Sequence, residues 1–169
     1  MNLTTRALLA LTPLLVWRVY SRLKGAMARQ RSIVSRHWTG LGVFAAMVLV
    51  PGSELLARPA SLLWLAVGTL AGIGYGVWGL RLTRYEDTGQ GYYFTPHQRL
   101  GVLIAMLFVA RIMYIGVELY ASQGSGTAPA RFTDSPLTLL SLGLAAGYFG
   151  TYSAGLLRWR HKLKKAAGA

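Results

Sequence analysis

Cysteine is absent from the 169 residues. That removes a disulfide framework, thiol–disulfide exchange by this chain, Cys-ligated zinc, iron–sulfur clusters and covalently attached c-type haem. Acidic residues are almost as scarce, with five Asp and Glu against 18 Lys and Arg. Charged residues of both signs make up 14% of the chain, where an average soluble domain carries about 25%. Nor is there a Walker sequence, a G-x-G-x-x-G after a strand, an HExxH or a recognisable nucleophile motif. Catalysis therefore has no visible machinery.

What is present is apolar, glycine-rich and basic. Hydrophobic residues make up 53% of the chain, and there are 20 glycines and 14 Trp and Tyr. This is the profile of a polytopic membrane protein, in which glycines let helices approach and aromatics anchor at the interfaces. A formal charge of +13 would point to nucleic acid in a soluble chain. Here the basic residues lie between apolar runs, so topology and anionic lipid headgroups explain them and no nucleic-acid partner is expected.

Five spans of about 20 residues, the length a bilayer core requires, are predicted at 3–21, 38–56, 60–82, 98–121 and 135–158. The opening "MNLTTRALLALTPLLVWRVYSRLKG" carries its charge after the apolar stretch, so it reads as a retained first span rather than a signal peptide. Pro51-Gly52 is expected to kink or end the second helix. The segments at 18–37, 81–99 and 158–169 are basic, whereas 51–60 and 121–135 contribute only Arg58 and Arg131. The positive-inside rule then places the N-terminus outside and the C-terminus in the cytoplasm, which five spans require. Residues 21–36 suit a basic amphipathic helix on the inner leaflet. Residues 80–95, "LRLTRYEDTGQGYYFT", read as a short cytoplasmic β-hairpin. The expected architecture is an all-α transmembrane five-helix bundle with that hairpin between spans three and four, forming a single membrane domain.

Arg111 is the residue most in need of explanation. It lies about 18 Å beyond Arg99 at 1.5 Å per residue, near mid-membrane, and Tyr114 and Glu118 share its helix face. Burying an arginine there costs at least ~2.5 kcal/mol, so it should face protein or water. Tyr75, Tyr148 and Tyr152 on neighbouring spans are candidate companions. Two readings stand side by side: a cavity for a polar or anionic ligand, or an arginine satisfied by hydroxyls and carbonyls that locks the bundle. His37 and His97, with Arg84 and Glu86, form a lesser interfacial set. No cofactor or metal is called for, although two histidines at one surface leave haem open. Gly68, Gly72 and Gly76 on span three, and Gly143 and Gly147 on span five, predict close helix contacts, either internal or across a homodimer.

Across "LRLTRYEDTGQGYYFTPHQRLGVLIAMLFVARIMY", the opening "LLVWRVYSRLKGAMARQ" and "SPLTLLSLGLAAGYFGTYSAGLL", the chain resembles the CcdC-like family of small bacterial membrane proteins. That family takes its name from genetic association with cytochrome c biogenesis. The resemblance implies a multi-pass inner-membrane protein and supplies no catalytic residues. The expected role is a non-enzymatic accessory or regulatory factor in membrane, envelope or cytochrome c biogenesis, beside a membrane-protein partner. Two alternatives are a small carrier whose cavity is lined by the Arg111 stripe, and an enzyme linked to lipid, quinone or haem.

Overall fold

In a computed structural model, residues 16–25, 30–88, 91–122 and 132–167, together with Pro13, are described. Most of the first expected span, 3–21, and the loop bearing Arg131 lie outside them. Helix α1 covers residues 16–25. Helix α2 runs Val34–Glu54 and passes Pro51 before tightening into a 3-10 turn at Leu55–Ala57. The break that follows has a local cause. Arg58 precedes Pro59 and is held out of the helical region, at φ −129° and ψ 79°, because the proline ring crowds the residue before it. Pro59 then opens α3, Pro59–Arg81, at a first-turn position where its missing N–H costs nothing. Helices α4, Gln98–Ser122, and α5, Pro136–Ala167, complete the helical part.

Helix α5 forms the interior. Leu139, Leu142, Ala145, Ala146, Tyr148, Tyr152, Leu156 and Leu157 are all buried, with α2, α3 and α4 packed around them. Contact with α3 is backbone to backbone. A β-carbon at Gly72 would collide with the Leu144 carbonyl and lie 2.9 Å from the Tyr148 nitrogen. One at Gly143 would lie 2.6 Å from the Leu65 carbonyl oxygen. The spaced glycines are therefore an internal helix seam.

The outer faces are apolar. Leu49, Leu63, Leu70 and Val117 are each more than 60% exposed, and a soluble monomer rarely leaves such a face to water. Three helical stretches, Val34–Ala57, Pro59–Arg81 and Arg99–Tyr120, are long and apolar enough to cross a membrane. They coincide with expected spans two, three and four. Helix α5 is not among them, because glycine, Thr, Ser and Tyr dilute its apolar residues.

The expected hairpin is present as β2, Arg84–Asp87, and β3, Tyr92–Thr95, but it is not alone. Strand β1, Gln30–Arg31, pairs antiparallel on the far side of β3, giving a three-stranded sheet in the order β1-β3-β2. This corrects the reading of 21–36 as one amphipathic helix, since Gln30 and Arg31 are paired with Phe94 and Tyr93. A two-stranded hairpin is marginal in water, and a third strand plus packing on helices supplies what it lacks. Phe94 provides that packing: it is buried against Tyr152 and Leu156 of α5.

Candidate functional site

Two groups of polar side chains stand out, at opposite ends of α5. At its start, half-buried Arg111 donates from Nε to Thr138 Oγ1 at 2.9 Å and from Nη2 to Ser135 Oγ at 2.6 Å. Its guanidinium also lies 4.9 Å from the centre of the Tyr114 ring. The partners are hydroxyls just before and within the first turn of α5, with Tyr114 of the arginine's own helix beside them, and not the tyrosines of neighbouring spans. Tyr148 follows Thr138 by ten residues, about 15 Å along the helix, and Tyr152 is a turn further. Tyr75 is 44% exposed and tilts against Trp78. Tyr114 and Glu118 both face outward. Thus the stripe does not enclose a cavity wall with those tyrosines. Arg111 ties α4 to the start of α5.

The sheet-capped end is richer. Ser32, placed by its backbone N–H donating to the Tyr92 carbonyl at 2.8 Å, shares a buried 2.9 Å hydrogen bond between its Oγ and His37 Nε2. The His37 ring sits 5.7 Å from that of Phe94 in an edge arrangement. Phe94 leads on to Tyr152, which stacks on Tyr148 at 6.1 Å. Thr83 Oγ1 donates to the Gly79 carbonyl at 2.8 Å. With its one proton committed, it accepts from the Tyr152 hydroxyl at 2.7 Å. Gly79 is what admits Tyr148: a β-carbon there would lie 3.0 Å from the Tyr148 hydroxyl.

At this end is a cavity of about 200 Å³ whose walls include Arg31, Arg36, His37, Phe94, Tyr152 and Ser153. A cationic rim, aromatic walls and a floor of hydroxyls and imidazole suit an anionic group with an apolar remainder. Beside it, a groove of about 610 Å³ is bounded by Arg31, Ser32, Gly91, Tyr92 and Arg160. Arg160 lies flat over Tyr92, 4.0 Å from the ring centre. Its Nε and Nη1 are sealed from solvent and have no hydrogen-bond partner, a condition that costs about 1–3 kcal/mol for each neutral donor and more for a charged one. His97 Nδ1 is likewise buried and unpartnered. Trp159 is wedged between Tyr85 at 4.7 Å and Tyr92 at 6.0 Å. Partial burial pushes the Tyr85 phenol above its ordinary value.

Of the residues singled out from sequence, His37, Tyr148 and Tyr152 meet at this end, with Arg84 and Glu86 on β2. Arg111, Tyr114 and Glu118 sit elsewhere on α4. Ser32, Thr83, Trp159 and Arg160 were not anticipated. Only "RWR" at 158–160, an aromatic inside a basic run, hints at two of them. Among the described residues no three His, Asp or Glu side chains come together as a metal would need. His37 Nε2 is engaged by Ser32 rather than free as an axial ligand, so this ring does not fit a haem site as it stands.

Long apolar helices with outward-facing leucines and valines, wrapped around a glycine-rich interior helix, fit a membrane protein. The chain belongs to the CcdC family: the family model described as CcdC protein matches residues 4–166. Neither the curated proteins nor the solved structures gave a match.

Proposed function

We propose that the chain is a five-span protein of the bacterial inner membrane and a non-enzymatic accessory factor in membrane, envelope or cytochrome c biogenesis. Its N-terminus lies outside, its C-terminus lies in the cytoplasm, and its sheet-capped cytoplasmic end is the surface that works. One observation carries this reading. Buried hydroxyls, imidazole, stacked aromatics and the rim arginines Arg31 and Arg36 converge at one end, while the membrane-facing surfaces are plain apolar. Such a concentration of polar groups is costly to maintain, and functional ends are where such costs persist. The basic segments lie at the same end, as the positive-inside rule asks of a cytoplasmic face. Arg111 weighs against the rival carrier, since two of its donors are occupied by Ser135 and Thr138.

The absence of native cysteine makes the test direct. A single cysteine at Thr88, exposed beside the β2–β3 turn, is expected to react with an impermeant thiol reagent only from the cytoplasmic side. A cysteine at Ser53, at the other end of α2, should react only from outside. The opposite pattern would refute the orientation. A photo-crosslinker at Thr88 should capture a defined protein partner that one at lipid-facing Leu70 does not. Capture from neither site, or turnover of a lipid or quinone by the purified chain alone, would overturn the accessory role.

A further inference from the structure

We propose that the groove beside β1 is a binding site for a phosphate-bearing anion, held by Arg160 with Arg31 and Ser32. The proposal rests on the reading of the sheet-capped end as the working end, and it names the ligand class. Arginine presents a planar set of donors that matches several oxygens of one phosphate. Arg160 is fixed in orientation by its contact with Tyr92, so little freedom is lost on binding. Its Nε and Nη1 have no partner in the protein, and the half-buried side chain lines the groove, so donors left without an acceptor stand at the wall of a space able to hold one. Arg31 enters the same groove from β1, and it is exposed at the mouth.

Ser32 completes the set. If His37 Nε2 carries the proton, it donates to Ser32 Oγ, and the serine O–H is then free to donate to an anion. Gly91 keeps the wall opposite Arg31 low: the nearest atom to a β-carbon there would be Arg31 Nε at 3.5 Å. The sheet order assists, because β3 stands between β1 and the strand that bears Glu86 and Asp87. The edge of the sheet that borders the groove is therefore the one that carries Arg31.

Two sources share this chemistry, a lipid headgroup and a soluble phosphate. Both are tested on the full chain by thermal melting. One arm titrates inorganic phosphate into protein in neutral detergent at constant ionic strength with chloride. The other compares nanodiscs of phosphatidylcholine alone with nanodiscs containing phosphatidic acid. A ligand that binds only the folded state raises the midpoint as its concentration passes its Kd, so at least one arm should raise it. Arg160→Gln should weaken the response at least ~10-fold, as expected when a charged hydrogen-bonding partner is lost. Arg31→Gln, at the exposed mouth, should weaken it too and serves if Arg160→Gln does not fold. Arg158→Gln, an exposed arginine two residues away, should leave it unchanged. A response to phosphate alone assigns a soluble anion, and one to phosphatidic acid alone assigns a headgroup. No response in either arm, or an equal loss in Arg158→Gln, overturns the site. Loss of anion binding with Thr88 crosslinking intact would remove this site and leave the docking role standing.

Discussion

Gly72 and Gly74 lie two residues apart on α3, and the same substitution should move stability in opposite directions at the two. At Gly74 nothing lies within 4 Å of an added β-carbon. Alanine there should be favourable by about 0.5–1 kcal/mol, the usual helix advantage over glycine. At Gly72 the methyl would strike the Leu144 carbonyl and sit 2.9 Å from the Tyr148 nitrogen and 3.0 Å from the Gly147 α-carbon. Comfortable carbon contacts begin near 3.5 Å. All three atoms are backbone, so no side chain can swing away, and the helices must part. Overpacking of this kind costs about 1–3 kcal/mol, and separation also weakens the close contacts that glycine ridges allow. After subtracting the helix gain, Gly72→Ala should lose about 1–2 kcal/mol. At roughly 2–4 °C per kcal/mol for a chain of this size, the midpoint in detergent should fall by several degrees, whereas Gly74→Ala should raise it by a degree or more. Equal stability for Gly72→Ala and wild type would refute the seam. A loss at Gly74 instead would mean that the open face of α3 is occupied by another molecule.

Three further substitutions probe the polar contacts. Thr83→Val strands the Tyr152 hydroxyl and should cost about 1–3 kcal/mol, while the pair Thr83→Val with Tyr152→Phe should cost less than the sum of the single changes; a double-mutant cycle with no coupling would dismiss the 2.7 Å bond. Arg111→Lys should be less stable than Arg111→Met, because lysine retains the charge without the fork that reaches both Ser135 and Thr138, and methionine sheds the cost of a charge in an apolar layer; the reverse order in melting would refute the tie. Asp134→Asn breaks the 2.7 Å ion pair with Arg58, whose side chains are 50% and 42% exposed, and should cost below ~1 kcal/mol and less as salt rises; a large, salt-independent loss would place that pair in a drier setting than its exposure indicates.

Much of the architecture was legible in the chain because its determinants are local. Apolar runs between basic segments marked α2, α3 and α4, and a turn between two aromatic β-prone stretches marked β2 and β3. The glycine spacing foretold a close contact, though not that Gly143 and Gly147 would receive α3 rather than a second copy of the chain. What escaped depends on residues distant in sequence. Gln30 and Arg31 have no strand signature of their own; they are extended because β3 offers an unpaired edge. Arg111 was placed at the right point on its helix, but its depth relative to α5 depends on where α5 begins, and Pro136 begins it beside Arg111. The Ser32–His37 bond and the orphaned nitrogens of Arg160 follow from a chain reversal that charge patterning alone does not encode.

The seam between α3 and α5 also bears on the order in which the molecule is built. Helix α5 is the one around which α2, α3 and α4 gather, yet its own composition is less apolar than theirs, and it follows all three in the chain. Until it arrives, α3 carries an open furrow of bare peptide groups along Gly68, Gly72 and Gly76. Insertion of α5 is thus a templated event, in which a finished helix receives the one that closes the bundle. A chain cut short before Pro136 would retain its three most apolar helices and still lack the one that fills the furrow.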